Sequence, residues 1–312
     1  MTIQSSDHSL IHQFNNPLTF AAMATQPTSV DFLLSCARHS RPFTADARFV
    51  ADGQPKPVAV FVHGFKGFKD WGHFNLLADW FARQGFVFVK LNLSHNGLVV
   101  GGSGDLEDME AFGRNNFSLE LDDIGALLDC LHTPDQAGIP AAEMDLTRLA
   151  LIGHSRGGGL VLLKAAEDAR VKAVASWAAI SDVNPGWSEP LMQQWQQQGV
   201  FHVENSRTKQ QLPLYFQIVE DYHQNRLRLD IRHGLRRKLK GRPILILHGD
   251  QDETVPVERA YQLKEWQPAA ELCILPGVTH NFGGGHPWPS TKLPAEAQQA
   301  AEATVEFLRR VL

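Results

Sequence analysis

Residues 149–168 read Leu-Ala-Leu-Ile-Gly-His-Ser-Arg-Gly-Gly-Gly-Leu-Val-Leu-Leu-Lys-Ala-Ala-Glu-Asp. Leu149–Ile152 is a short apolar run of the kind that fills a strand covered on both faces, and Leu160–Asp168 follows as a helical pattern. Between them stands Gly153-His154-Ser155-Arg156-Gly157, the G-x-S-x-G spacing that puts a serine on a tight strand-to-helix turn. Glycines two before and two after the serine let neighbouring backbone approach where a Cβ would clash. The helix that follows aims its first amides at the turn, which favours an anion there. The bland alternative is a small-residue helix start; a strand before and a helix after favour the elbow, with Ser155 as nucleophile.

Outward from this point, apolar runs alternate with helical patterns. Val58–Val62, Phe86–Leu93, Val171–Trp177, Ile244–Leu247 and Leu272–Leu275 are short and rich in β-branched or aromatic residues. Phe74, Leu77 and Phe81 share one helical face, closed by Gly85, and Leu121, Ile124, Leu128 and Leu131 share another. Glu120, Asp122 and Asp123 lie early in that second helix, where its dipole favours anions. Ala301, Val305, Leu308 and Leu312 continue the pattern at the tail. Strand–helix–strand repetition predicts an α/β fold, a doubly wound and mostly parallel sheet. Val30–Cys36 and Phe43–Val50 predict an antiparallel edge hairpin ahead of it. Residues 184–240 break the rhythm: polar, Gln-rich and dotted with aromatics, then basic from Arg226 to Lys240. A connection of that length needs structure of its own, and a mostly helical cap inserted into a core of residues 29–183 and 241–312 is expected. The basic run reads as a solvated helix face, with attraction of an anionic substrate as the rival.

A serine hydroxyl needs a neighbouring base to attack at neutral pH. After the run Ile244–Leu247 comes His248-Gly249-Asp250-Gln251-Asp252, and after Leu272–Leu275 comes Pro276-Gly277-Val278-Thr279-His280. Both follow the carboxyl ends of strands, where open α/β sheets build their sites, and the chain order is Ser, Asp, His. Asp250 competes with Asp252 for the acid, and His286, in Gly283-Gly284-Gly285-His286-Pro287-Trp288, competes with His280 for the base. His154 reads as a loop brace.

The elbow, Gly249-x-x-Asp252 and Gly277-Val278-Thr279-His280 together resemble the α/β-hydrolase superfamily over roughly residues 30–183 and 241–312. With its short His63-Gly64 entry, the chain is most similar to the esterase and dienelactone-hydrolase-like branch. The resemblance implies an α/β-hydrolase fold, with the acid after the sixth parallel strand and the histidine after the next. It implies Ser155, Asp252 and His280 as the triad and an oxyanion hole from the amides of Arg156 and, by likeness to His-Gly-x loops, Phe65. The expected activity is hydrolysis of small to medium acyl or aryl carboxylic esters through an acyl-enzyme. An aminopeptidase-like or thioester-cleaving member carries the same triad, and a non-catalytic ligand-binding member of the fold is the alternative outside enzymes. His63, Trp71, His95, Trp187, Trp195 and Trp288 are candidate substrate-binding residues, and Phe201 lies among the same overhanging segments, although packing within a cap accounts equally for the aromatics.

No Cys/His spacing suggests a metal, no G-x-G-x-x-G follows a strand, and no cofactor is expected. A net charge of −5 gives no reason to expect nucleic acid. The three cysteines, Cys36, Cys130 and Cys273, are widely spaced and read as reduced thiols of a cytoplasmic protein. No apolar run approaches the roughly 20 residues of a membrane span. Residues 1–28 read as a loosely ordered lead-in: Ala22-Met23-Ala24 mimics a cleavage site, but the first basic residue is Arg38. Monomer and homodimer are both compatible with these residues.

Overall fold

The structure, a computed structural model, describes residues 26–312 other than Pro185. The expected lead-in therefore lies almost entirely outside the described residues, and Thr28 already opens the first strand. In chain order the elements are β1 (Thr28–Cys36), β2 (His39–Phe49), β3 (Lys56–Val62), α1 (Phe74–Arg83), β4 (Val87–Leu91), α2 (Met109–Gly113), α3 (Phe117–His132), β5 (Met144–His154), α4 (Arg156–Glu167) and β6 (Ala173–Trp177). The intervening segment holds α5 (Glu189–Gln198), β7 (Val200–Glu204), β8 (Gln211–Tyr215), α6 (Gln217–Gln224) and α7 (Ile231–His233), which runs on as a π-helical turn over Gly234–Lys238. The chain then returns through β9 (Ile244–Gly249), α8 (Glu258–Trp266), β10 (Glu271–Leu275) and α9 (Ala295–Val311).

Eight strands form one sheet in the order β1-β2-β4-β3-β5-β6-β9-β10. From β4 to β10 all pairs are parallel, whereas β1–β2 and β2–β4 are antiparallel. This is the α/β-hydrolase fold. The period-2 geometry of a strand sends successive side chains to opposite faces, and β3 shows the result. Val58, Val60 and Val62 enter a core shared with α3, α4 and α8, while Ala59 and Phe61 enter a second core against α1 and α9. Every residue of β4 and β6 is buried, because helices cover both faces. The acid loop follows β9, the fifth parallel strand in chain order rather than the sixth, because β1 and β2 are antiparallel additions at the edge.

The segment between β6 and β9 is less helical than expected. It carries a two-stranded antiparallel sheet, with Val200 opposite Tyr215 and Glu204 opposite Gln211. Val200–Glu204 is mostly exposed, and Pro213 interrupts the buried Leu212–Leu214 stretch of its partner; neither reads from sequence as a central sheet strand. Trp195 is buried with Leu212 and Leu214 in the same core as Val58 and α3, and its indole donates to the Leu214 carbonyl at 2.7 Å.

The loop 63–73, after β3, is held from below by buried charge. Lys90 Nζ, on β4, donates to Asp46 Oδ1 of β2 and to Asp70 Oδ1 of the loop, each at 2.6 Å. Lys69 Nζ also reaches Asp46, at 2.8 Å. Such a cluster persists only when each charge is answered. Among the described residues, no helix is long and apolar enough to cross a membrane.

Candidate active site

Ser155 joins β5 directly to α4, with φ 59° and ψ −120°. A non-glycine residue in that region is strained, and the surrounding backbone forces it. The Ser155 amide donates to the Trp177 carbonyl at 2.8 Å, and its own carbonyl accepts from Gly158 at 3.0 Å. The turn closes only because the flanking residues lack side chains: a Cβ on Gly153 would stand 2.2 Å from the Gly157 carbonyl oxygen, and one on Gly157 2.2 Å from that of Val62.

Three loops at the carboxyl ends of β5, β9 and β10 bring Ser155, Asp252 and His280 together. Ser155 Oγ lies 3.0 Å from His280 Nε2, and His280 Nδ1 lies 2.7 Å from Asp252 Oδ2. Asp252 Oδ1 accepts from the amides of Thr254 at 2.9 Å and Val255 at 2.8 Å. Burial favours the neutral acid, but hydrogen bonds from His248 and His280 outweigh it and hold the carboxyl well below its usual range. An ionised Asp252 fixes the Nδ1–H tautomer of His280, leaving the Nε2 lone pair facing the serine hydroxyl.

The rivals occupy different positions. Asp250 Oδ1 accepts from the Gly277 amide at 2.7 Å, tying the acid loop to the histidine loop. His286 Nδ1 accepts from the Gly72 amide at 2.8 Å, and its ring stacks on Trp71. His154 donates from Nε2 to the His280 carbonyl at 2.8 Å; burial pushes its pKa down to about 3.

Arg156 follows the serine directly in the chain, and Phe65 follows Gly64. Gly64 packs so closely that an added Cβ would lie 2.9 Å from Ser155 Cβ. Neither the Phe65 amide nor the Arg156 amide has a backbone hydrogen-bond acceptor among the described residues.

The substrate-binding candidates divide. His63 is only 2% exposed: Nδ1 donates to the Gly64 carbonyl at 2.9 Å and Nε2 accepts from Leu93 at 3.3 Å. Both ring nitrogens are engaged in bracing the loop. Trp195 is likewise buried, and Trp187 packs edge-on against it and Tyr222. Phe201 packs against Trp195 and is 37% exposed. Trp71 and Trp288 flank His73 at the loops after β3 and β10. His95 accepts or donates at Nδ1 to Ser94 Oγ at 2.7 Å, on the loop after β4. Sequence reasoning missed His248, wholly buried, whose Nε2–H is shared between the Val255 carbonyl at 2.8 Å and Asp252 Oδ2 at 3.2 Å. Its place four residues before Asp252 at a strand end was the available signal. No group of three or more metal-ligating side chains with metal-binding geometry exists among the described residues.

The model of the prolyl oligopeptidase family matches residues 72–287. No curated protein matches the chain. Among solved structures, Est1E from Butyrivibrio proteoclasticus with ferulic acid bound is 19% identical, with a TM-score of 0.63, over 90% of this chain and 98% of that one. The esterase domain from a Rhodothermus marinus protein is 20% identical, with a TM-score of 0.58, over 91% and 98%. Pyrococcus horikoshii acylaminoacyl peptidase is 14% identical, with a TM-score of 0.60, over 92% of this chain and 42% of that one. At these identities the likeness is one of fold.

Proposed function

The chain belongs to the prolyl oligopeptidase family, among the α/β-hydrolases, and from that premise we propose that it is a serine hydrolase cleaving small to medium acyl or aryl carboxylic esters through an acyl-enzyme on Ser155. The observation that carries the reading is the unbroken relay from Asp252 Oδ2 through His280 to Ser155 Oγ, at 2.7 and 3.0 Å. His280 Nε2 takes the hydroxyl proton as Oγ attacks the carbonyl carbon, and Asp252 stabilises the imidazolium. The developing oxyanion is received by the free amides of Phe65 and Arg156, each such donor worth about 10² to 10³ in rate. The imidazolium then protonates the leaving alcohol, and a water activated by the same nitrogen hydrolyses the acyl-enzyme.

Likeness over nearly the whole of two structures, one an esterase domain and the other holding ferulic acid, supports an ester substrate. The family description and the acylaminoacyl peptidase support an amide as the second reading. Labelling with a fluorophosphonate, followed by turnover of p-nitrophenyl esters of rising chain length beside aminoacyl anilides, tests both. Loss of labelling and ester turnover in Ser155→Ala is expected. Undiminished labelling would remove Ser155 as nucleophile, and faster cleavage of anilides than of esters would replace the esterase reading with the peptidase one.

A further inference from the structure

The residue after the nucleophile has a side chain that the relay does not use. The guanidinium of Arg156 lies between two aromatic rings, its Cζ 4.1 Å from the centre of Phe65 and 4.9 Å from that of Phe117. Its charge is answered by Glu120, with Nη1 3.3 Å from Oε1. Glu120 is itself buried and takes a hydrogen bond from Asn115 Nδ2 at 2.7 Å. On its other side Phe65 meets Phe112, at 5.5 Å between ring centres.

We propose that the Arg156 guanidinium is a positioning group that clamps the oxyanion hole, holding the loop of Phe65 at a fixed distance from the elbow. The inference rests on the reading that the amides of Phe65 and Arg156 are the two oxyanion donors. Those amides belong to different loops, one after β3 and one after β5, and an oxyanion needs both aimed at a single point. Arg156 supplies one donor from its backbone and grips the residue supplying the other with its side chain. The planar, weakly hydrated guanidinium stacks on a ring as an ammonium does not. The grip has something to resist: Gly64 and Gly67 flank the Phe65 turn, and Lys66 within it has φ 62°. Glu120 keeps the cation in a buried site and fixes it from the α3 side.

The test compares Arg156→Met/Glu120→Gln, which removes the cation without stranding a carboxylate, with Phe65→Leu, which keeps the ion pair and removes the ring. For either, kcat on p-nitrophenyl acetate is expected to fall about 10- to 100-fold, the scale of a small misplacement of catalytic groups, with KM within about threefold. Affinity for a phenylboronic acid, which mimics the tetrahedral state, should weaken in parallel with kcat. Adding Phe65→Leu to the Arg156 variant should cost little more, because both break one contact. A residue that merely fills space would lower the melting temperature and leave boronate affinity unchanged; that result, unchanged kcat, or additive losses would overturn the clamp. Should Arg156→Met/Glu120→Gln not fold, Phe65→Leu alone decides by the same readouts. Ser155→Ala separates the two failures: if it retains turnover the nucleophile reading has failed, whereas an inert Ser155→Ala beside a fully active Arg156 variant removes only the clamp.

Discussion

Asp252 accepts four hydrogen bonds from protein donors, two from backbone amides and two from the imidazoles of His248 and His280. Each stabilises the anion, and together they fix the plane of the carboxylate as well as its charge. Asp250, two residues earlier, instead holds the backbone of the histidine loop. The two aspartates therefore predict different lesions. In Asp252→Asn the amide group presents a donor toward His280 Nδ1 and favours the wrong tautomer, so kcat is expected to fall about 10⁴-fold, as in other triads, with the fold retained. Asp250→Asn keeps an acceptor for Gly277 and is expected to change kcat by less than about threefold. Parallel kcat measurements decide this; comparable losses in both would mean that the acid role is not localised at Asp252. At this scale the sequence was informative wherever chemistry and chain order coincide, as for Ser155, Asp252 and His280. It was silent where a role depends on residues distant in the chain: the Arg156 side chain finds Glu120 36 positions away, and the engagement of His63 with Leu93 cannot be read from a His-Gly dipeptide.

The element that concentrates the most constraint is the β5–α4 junction. The helix begins at the residue after Ser155, so its first free amides, the strained serine and the end of the strand are one rigid piece. Gly157 belongs to its first turn and lies against the end of β3. Gly157→Ala would press a methyl into the Val62 and His63 carbonyl oxygens, 2.2 and 2.5 Å away, and backbone cannot yield as a flexible side chain does. A loss on the order of 3 kcal/mol in unfolding free energy is expected, measured by urea titration. A variant within about 0.5 kcal/mol of the parent would show that α4 shifts without cost, and the packing argument would fail. The central strands were legible because both faces are covered, making their apolar runs continuous. β7 and β8 were not, because a short hairpin with one largely exposed strand and a proline in the other is specified by pairing and by packing around Trp195 rather than by a continuous apolar run. β5 also starts five residues earlier than its apolar run, at Met144, where it pairs with Lys56 through a register shift that no local pattern announces.

Across the whole molecule, histidine burial sets how stability depends on pH. His63 and His73 are 2% and 3% exposed, and burial pushes each pKa down to about 4. In the unfolded chain both titrate near 6.5. Between those values the unfolded state binds protons that the folded state refuses, so the stability they contribute is complete above about pH 7 and is lost as pH falls. For two such residues the loss between pH 7 and 5.5 is about 2.5 kcal/mol by linkage. That is a large share of the 5–15 kcal/mol typical of a folded domain. His95, His154 and His286 shift in the same direction. His39 opposes them: its hydrogen bond to Asp123 raises its pKa, so its contribution grows as pH falls. Carboxylates with depressed pKa values matter only near and below pH 4 and leave this window untouched. With five histidines lowered and one raised, the urea midpoint should fall from pH 7.5 to pH 5.5. His63→Gln, which removes one titrating group, should flatten that fall by up to the equivalent of one proton, about 1.4 kcal/mol per pH unit. Urea unfolding reports stability alone, which an activity profile would not. A midpoint that stays level or rises toward pH 5.5 would mean that the buried imidazoles are hydrated or paired in solution, and the linkage would have to be rebuilt around His39.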